Sequence, residues 1–463
     1  MDPINTLTPH AEPPSPWPVF WIASIATFLV SLDSTMLFAA FDPLRHSFAS
    51  ATPAQLSWVI NAYTVVYATM LIPAGGLADN YGRKRIFLMG VALFLIASAA
   101  CGLAGNVAWL VAARVLQAIG AALLTPASLS IVLASFAQDK RAVVVSLWGA
   151  VGGLAAAVGP SAGSFVIAHF GWPWAFYINL PLGGYALWRG TIRLAESVQI
   201  NARRRVDFVG MALLICAVGS ITLAIVESDA ANWNRSELAL IGMMGLVAAF
   251  VFIAWARRTT HPLVDLALFQ HPTYRYVNLA TLTFGIAFSM MFLAFFFYMM
   301  NIWHYSVPQA GLAVTPGPLL VMPTAIVTGR LASRLGHRRF LVGGSFLYAM
   351  SSIWFYMIPG NEPNYVQHWL PGLIMSGIAV GLVLPSLSAA AVSRLPLAHY
   401  AVGSAVNQAT RQIGSVLGVA LTVALLGHAT LLRTDFDSFY LLHGALAMAT
   451  GLLCLPIDTK PQS

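Results

Sequence analysis

Fourteen runs of about 20 apolar residues constrain this chain more than any other feature, because a backbone crossing a bilayer must satisfy its own polar groups. The runs fall roughly at 19–41, 56–78, 86–103, 107–136, 143–170 and 174–194, then 208–226 and 238–255. Six more follow at 277–303, 310–328, 340–358, 370–392, 402–426 and 439–456. The order is six helices, two, and six. With 58% hydrophobic and 9% charged residues, the chain is too apolar for an ordinary soluble domain. The expected fold class is an all-α polytopic membrane protein of about 14 transmembrane helices, two six-helix halves with two inserted helices.

A duplication supports the count. GGLADNYGRKR at 75–85 returns as GRLASRLGHRR at 329–339, an offset of 329 − 75, or 254 residues. Each copy joins the second and third helices of its half, and repeats of this kind mark transporters with a substrate path between two halves. The expected organisation is a cytosolic tail at 1–18, a first half at 19–200, an inserted linker at 201–260, a second half at 261–457 and a cytosolic tail at 458–463. The first eighteen residues contain six prolines, four of them at 13, 14, 16 and 18, and no Lys or Arg, so they read as a disordered tail and not as a secretory signal.

The formal charge of +8 could point to nucleic acid, but the basic residues are spread over short loops. With the amino terminus inside, only Arg45, Arg235 and Arg433 fall on the outer side, which puts both termini in the cytosol. Cys101, Cys216 and Cys454 lie in apolar runs and read as small hydrophobes. The eleven histidines include no pair with trusted metal-ligand spacing, and no phosphate-binding glycine loop is followed by Lys-Ser/Thr. No metal, no cofactor and no ATP drive are expected. No nucleophile with its base can be assembled either, so the chain does not read as an enzyme.

Two embedded groups stand out, because an ionisable side chain at the bilayer centre costs roughly 2.5 to 3.5 kcal/mol. Asp33 lies about eight residues, or roughly 12 Å, from the outer end of the first helix, and Arg114 about seven residues, or roughly 10 Å, below the outer end of the fourth. Their depths match. They form either a static ion pair or a site where a proton or a cationic ligand competes with the guanidinium for the carboxylate. Asn407, Arg411, Gly414 and Gly418 share one face of a later helix, which reads equally as a packing seam or as a wall of the central cavity. Gly149, Gly152, Gly153, Ala156, Gly159 and Gly163, with Pro160, form a small-residue stripe expected at the seam between the halves. The cluster Met290, Met291, Phe292, Phe295–Tyr298, Met299 and Met300 is expected to face lipid for the most part; an adaptable pocket is the alternative.

Taken together these residues resemble the major facilitator superfamily, and within it the 14-helix EmrB/QacA-type drug:proton antiporters. The resemblance covers nearly the whole chain. Gly75, Asp79, Gly82, Arg83 and Lys84 are similar to the loop motif between helices two and three; Arg114, Gln117 and Gly120 to the proton-linked motif of helix four; Gly159, Pro160 and Gly163 to the antiporter motif of helix five. LDST at 32–35, WAFYINLPLG at 174–183, VDFVG at 206–210, HPLVDLALF at 261–269 and NQATRQIGSVLG at 407–418 indicate the subgroup. Phe38 departs from a frequent Asn, Ser164 from a glycine, and Ser333 stands in the second loop where Asp79 stands in the first.

The resemblance implies that Asp33 is the protonatable acid, that Arg114 modulates it, and that Asp79 and its basic loop latch one conformation. It places Phe38, Gln117, Asn179, Asn407 and Arg411 as candidates for a substrate cavity. It further implies export of lipophilic drugs or toxic compounds, driven by protons across a bacterial inner membrane, with an accessory periplasmic adaptor as a partner. A dedicated exporter or proton symporter of one metabolite is the alternative, and a non-transporting receptor a more distant one.

Overall fold

The computed structural model describes residues 15–137, 141–196, 207–228, 233–395, 400–427 and 431–459. The side chains of Asp79 and Ser333, the first fourteen residues, most of the expected linker before the inserted pair, and the last four residues lie outside the described ones. The first half contains α1 (Trp17–Ser47), α2 (Pro53–Tyr81), α3 (Arg83–Gly102), α4 (Val107–Ser135), α5 (Arg141–Phe170) and α6 (Asn179–Arg193). The inserted pair is α7 (Phe208–Val226) and α8 (Arg235–Arg258). The second half contains α9 (Pro272–Phe297), α10 in two segments (Val307–Val314 and Pro316–Leu335), α11 (Arg338–Met357), α12 (Leu370–Val392), α13 (Tyr400–Leu426) and α14 (Asp435–Cys454). No strand occurs among the described residues.

Thirteen of these spans are long and apolar enough to cross a membrane. The sixth expected span is split into a turn at Trp174–Tyr177 and the 15-residue α6. Pro181 explains the break, since it has no N–H to give Tyr177. Pro316 interrupts α10 in the same way. Elsewhere local chemistry sets the starts: Thr52 and Gln55 form a capping box on α2, and the Asn106 side chain accepts from Trp109 N at 2.8 Å on α4.

The halves repeat one packing plan. In the first, α1 lies on α5, α2 and α3 on α4, and α6 on α1 and α3; in the second, α9 lies on α13, α10 and α11 on α12, and α14 on α9 and α11. Two seams, α2 with α13 and α5 with α10, join them. The glycine stripe of α5 is therefore corrected in part. A Cβ on Gly163 would stand 2.8 Å from Met36 Cγ, and one on Gly152 2.8 Å from Thr27 Cγ2, so these glycines admit α1 within their own half. At the seam between halves the small residue is Gly311 of α10, whose Cβ would stand 2.6 Å from Pro160 O. The second half copies the first: Cβ atoms on Gly285 and Gly414 would meet Arg411 O at 2.6 Å and Leu282 O at 2.5 Å, so α9 and α13 are in backbone contact.

The Met and aromatic cluster also differs from expectation. Met290, Met291, Phe292, Phe295, Phe296, Phe297, Tyr298 and Met299 are all buried. Phe295 and Tyr298 pack on Trp369, and Tyr298 on Phe436, forming the core of the second half. Large apolar side chains suit lipid and protein interior alike, which is why composition could not separate the two. Phe292 and Phe297 cross between halves to Phe38 and Phe41 of α1, each at 5.4 Å between centroids.

The inserted pair packs on itself and leans on the α2–α13 seam, with Val218 of α7 against Val65 and Val416, and Val226 against Ala54 and Ala420. Asp207 anchors it: its carboxylate accepts from Gly210 N, Trp255 Nε1 and Leu263 N at 2.8–2.9 Å. That gives the acid of VDFVG a structural task. The outer face of α8, including Leu240, Leu246 and Phe250, is exposed as a lipid-facing helix requires.

A side chain at the α9–α13 contact should be costly where one at an open position is not. Gly414→Leu is expected to destabilise the protein by at least about 1–3 kcal/mol through overpacking, whereas Gly149→Ala, which meets nothing within 4 Å, should leave it unchanged or raise it by up to about 1 kcal/mol. Thermal unfolding of the two variants in detergent checks this.

Candidate functional site

Asp33 and Arg114 meet inside the first half. Arg114 Nη1 donates to Asp33 Oδ2 at 2.6 Å, and the residues are 1% and 2% exposed respectively, so the pair is shut from solvent and lipid. The other carboxylate oxygen accepts from Gln117 Nε2 at 2.9 Å and from Asn179 Nδ2 at 3.0 Å. Gln117 Nε2 also donates to Ser98 Oγ at 2.9 Å, and Gln117 Oε1 accepts from Arg114 Nη1 at 2.6 Å. Gln117 and Asn179 are therefore corrected: both are fully buried on the carboxylate and not at a cavity wall.

The guanidinium has further partners. Its Nε donates to Val59 O at 3.0 Å, and its Cζ lies 3.9 Å from the centroid of the Tyr63 ring, close enough for a strong cation–π contact. Asp33 thus draws on α1, Ser98 on α3, Arg114 and Gln117 on α4, Asn179 on the first turn of α6, and the backing carbonyl and ring on α2. Ser98, Tyr63 and the Val59 carbonyl carry no sequence signature that singles them out. Three N–H donors surround the carboxylate, one on Oδ2 and two on Oδ1. Arg114 is held on its other sides by Val59 O, Gln117 Oε1 and the Tyr63 ring, so neither member of the pair depends on the other alone.

The remaining expected residues separate into three groups. Asn407 turns into the second half, where Nδ2 donates to Asn278 Oδ1 at 3.1 Å and Thr281 Oγ1 at 2.9 Å, so it belongs to the packing seam. Arg411, one turn on, is partly exposed and lies beside Phe284, Phe288, Leu384 and Ser415, with no room for a water molecule between them. Its one hydrogen bond among the described residues is a long one, Nε to Gln408 Oε1 at 3.4 Å. Phe38 is buried at the α1–α9 contact, with its ring on Phe292.

The basic loop is held by an acid absent from the expected set. Gly82 has φ +103°, a conformation that favours glycine, and turns the chain into α3. Glu196, just past α6, accepts from Lys84 N and Arg85 N at 3.1 Å each, capping the α3 N-terminus. Lys84 Nζ donates to Thr191 O at 2.8 Å, and Arg83 Nη1 to Ser130 O at 3.4 Å. Gly75 sits against Pro126 of α4. In the second loop Gly336 repeats the turn with φ +78°, and Thr459, past α14, accepts from His337 N at 2.8 Å. Burial lowers the His337 imidazole below its ordinary value. Each half therefore ties its loop to the segment leaving its last helix.

The major facilitator superfamily model matches residues 23–257 and 277–463. The chain belongs to that superfamily. This major facilitator is 30% identical over 403 residues to the multidrug resistance protein Stp of Mycobacterium tuberculosis (strain CDC 1551 / Oshkosh), covering 87% of this chain and 74% of that one. It is 28% identical over 414 residues to the multidrug export protein EmrB of Escherichia coli (strain K12), covering 87% and 78%. A crystal structure of the peptide transporter POT in complex with sulfate superimposes with a TM-score of 0.70 at 16% identity, covering 95% and 94%, a likeness of fold. The relatives agree with the EmrB/QacA type that the motifs resemble, and the chain is an integral membrane protein.

Removing one charge of the buried pair should cost more than removing both. Arg114→Ala leaves a carboxylate without its cation and is expected to destabilise by about 3–5 kcal/mol, while Asp33→Asn combined with Arg114→Gln should recover most of that loss. Melting temperatures of the purified variants decide it: a double variant no better than Arg114→Ala would contradict this account.

Proposed function

We propose that this protein is a proton-coupled exporter of lipophilic drugs or toxic compounds that works by alternating access, in a bacterial inner membrane with both termini cytosolic. Protons and a small amphiphilic molecule are its two ligands, and it carries out no covalent chemistry. A periplasmic adaptor is the protein partner implied by the likeness to EmrB. The family and the names of the relatives support export; the link between proton and motion rests on one observation, the double duty of α1.

That helix carries Asp33 at its centre and, five and eight residues further on, Phe38 and Phe41 against α9. At 1.5 Å per residue these rings stand roughly 8 and 12 Å from the acid along one rigid rod. A proton on Asp33 weakens the hold of Arg114, Gln117 and Asn179 on α1, and any shift or rotation of α1 disturbs the ring contacts that join the halves. Proton binding and the closing of one face are then linked through a single element, and a substrate that prefers the other facing drives the proton off. With one acid in such a site, one proton per cycle is the stoichiometry. For a neutral substrate the membrane potential then supplies roughly 2.3 kcal/mol per 100 mV, a gradient of roughly fifty-fold.

In everted vesicles energised to an acid interior, adding lipophilic compounds should release protons from vesicles containing the wild type and not from those containing Asp33→Asn at equal expression. Proton release by both would place the coupling acid elsewhere. A response confined to one compound of a broad panel would favour a dedicated metabolite carrier.

A further inference from the structure

The inserted helices α7 and α8 enclose a space that neither the proton site nor the seams between the halves use. The two helices touch at Gly245, where a Cβ would stand 3.0 Å from both Ala217 O and Ile221 N. Toward the turn that joins them they part. A Cβ on Gly242 would meet within 4 Å only Ala224 Cβ, at 3.5 Å. The widening leaves an open groove of about 620 Å³, with Ala224 and Ser228 on one wall and Arg235, Ala239, Gly242 and Leu246 on the other. Ligand sites span roughly 300–1,000 Å³, so the groove has room for a molecule.

The order of residues along the groove says what kind of molecule. Arg235, Ala239, Gly242 and Leu246 fall at i, i+4, i+7 and i+11, a single stripe of α8. The stripe is roughly 16 Å long at 1.5 Å per residue, about half of a hydrocarbon core of roughly 30 Å. That is the depth of one leaflet. The polar groups, Arg235 and Ser228, stand at the end by the turn, and the deeper lining is apolar. Arg235 is exposed and makes no hydrogen bond or ion pair among the described residues. Of the acids nearby, Glu237 is engaged with Asn234 N at 3.0 Å, and Glu227 is only 7% exposed. The unmatched charge at the head of the groove is therefore a cation, and the exposed Ala239 and Leu246 open its length sideways to the bilayer.

We propose that this groove holds one glycerophospholipid of the leaflet beside the α7–α8 turn, with its phosphodiester on the Arg235 guanidinium and the Ser228 hydroxyl and one acyl chain laid along Ala239, Gly242 and Leu246. A guanidinium presents a planar fork of donors that matches two phosphate oxygens, and basic groups at the rim of intramembrane grooves take lipid head groups. A free anion would leave the apolar length of the groove unfilled. The opposite face of α7 carries Val218 and Val226 to the α2–α13 seam, so a lipid wedged between α7 and α8 steadies the inserted pair where the two halves meet. The assignment goes beyond the export reading and does not depend on it.

Titration of the purified full-length protein with phosphatidylglycerol, followed by native mass spectrometry, tests this, with diacylglycerol of the same chains as the lipid that lacks a phosphate. One phosphatidylglycerol should bind the wild type about tenfold more tightly than the next and than diacylglycerol, the factor that a charge-assisted hydrogen bond supplies. Arg235→Gln should bring the first phosphatidylglycerol down to the level of the rest. Gly242→Leu should do the same with Arg235 intact, because its side chain fills the groove while its Cβ meets only an ordinary contact. Arg193→Gln, an exposed arginine at the end of α6, should change nothing. A first affinity unmoved in both Arg235→Gln and Gly242→Leu, or lowered equally by Arg193→Gln, would overturn the proposal. Displacement of the lipid by inorganic phosphate at equal concentration would overturn it too, and show a site for a free anion.

Discussion

A carboxylate and a guanidinium buried together in a low-dielectric interior impose conditions on everything around them. Each would be expensive alone, and their mutual attraction offsets the lost hydration only where the other lone pairs and N–H groups are also matched. Here the matching draws on five helices of one half: Asp33 from α1, Val59 O and Tyr63 from α2, Ser98 from α3, Arg114 and Gln117 from α4, and Asn179 from α6. A network of that kind adds little net stability over an apolar core of the same volume. What it adds is a fixed arrangement, because the carboxylate is the hub on which α1, α4 and α6 converge.

The rest of the fold holds that hub in a stiff frame. Within each half the central helices are in near-backbone contact, α1 with α5 through Gly152 and Gly163, and α9 with α13 through Gly285 and Gly414. Close-packed interfaces resist continuous deformation, so displacement of α1 carries α5 with it. Between the halves one join is of the same kind, the Gly311 approach of α10 to the backbone of α5, and the others are side chains on α2 and α13 and ring contacts from α1 to α9. Ring edges and aliphatic side chains can slide and repack at modest cost. The contacts between the halves thus leave α5 and α10 tightly joined at Gly311 and the remaining seam to side chains.

The apolar runs and the repeated loop made the six-two-six architecture legible, because helix length in a bilayer is set by its thickness and not by subtle packing. Depth was legible as well: counting residues from the ends of α1 and α4 places Asp33 beside Arg114, where they meet. Facing was harder to read. Gln117 and Asn179 were expected at a cavity and lie on the carboxylate; Asn407 and Arg411 share a helix face, and yet only Asn407 is bonded into the seam. The Met and aromatic cluster of α9 went to the core where lipid was expected, since lipid and core select the same side chains. Val59 contributes a main-chain carbonyl, which no side-chain pattern announces, and Glu196 acts across more than a hundred residues of sequence on Lys84 and Arg85. Interactions of these kinds depend on helix rotation and tertiary neighbours, and periodicity carries neither.

The duplication shows where the halves have parted in chemistry. At the 254-residue offset that relates the two loops, Ser98 corresponds to Ser352, and Asp33 to Ala287. Ser352 Oγ is bonded to His443 Nδ1 at 2.5 Å, a neutral contact at the place where Ser98 meets Gln117 and Asn179. Gly317, the counterpart of Tyr63 at that offset, lies on Leu373, where Tyr63 lies on Arg114. The second half has thus filled with packing the position that the first half fills with an ion pair, and its embedded charge is Arg411. The two embedded cations therefore stand in unlike settings: Arg114 is walled in with its acid, and Arg411 pairs with no carboxylate among the described residues, on the helix that packs on α9, which in turn meets α1 through Phe292 and Phe297.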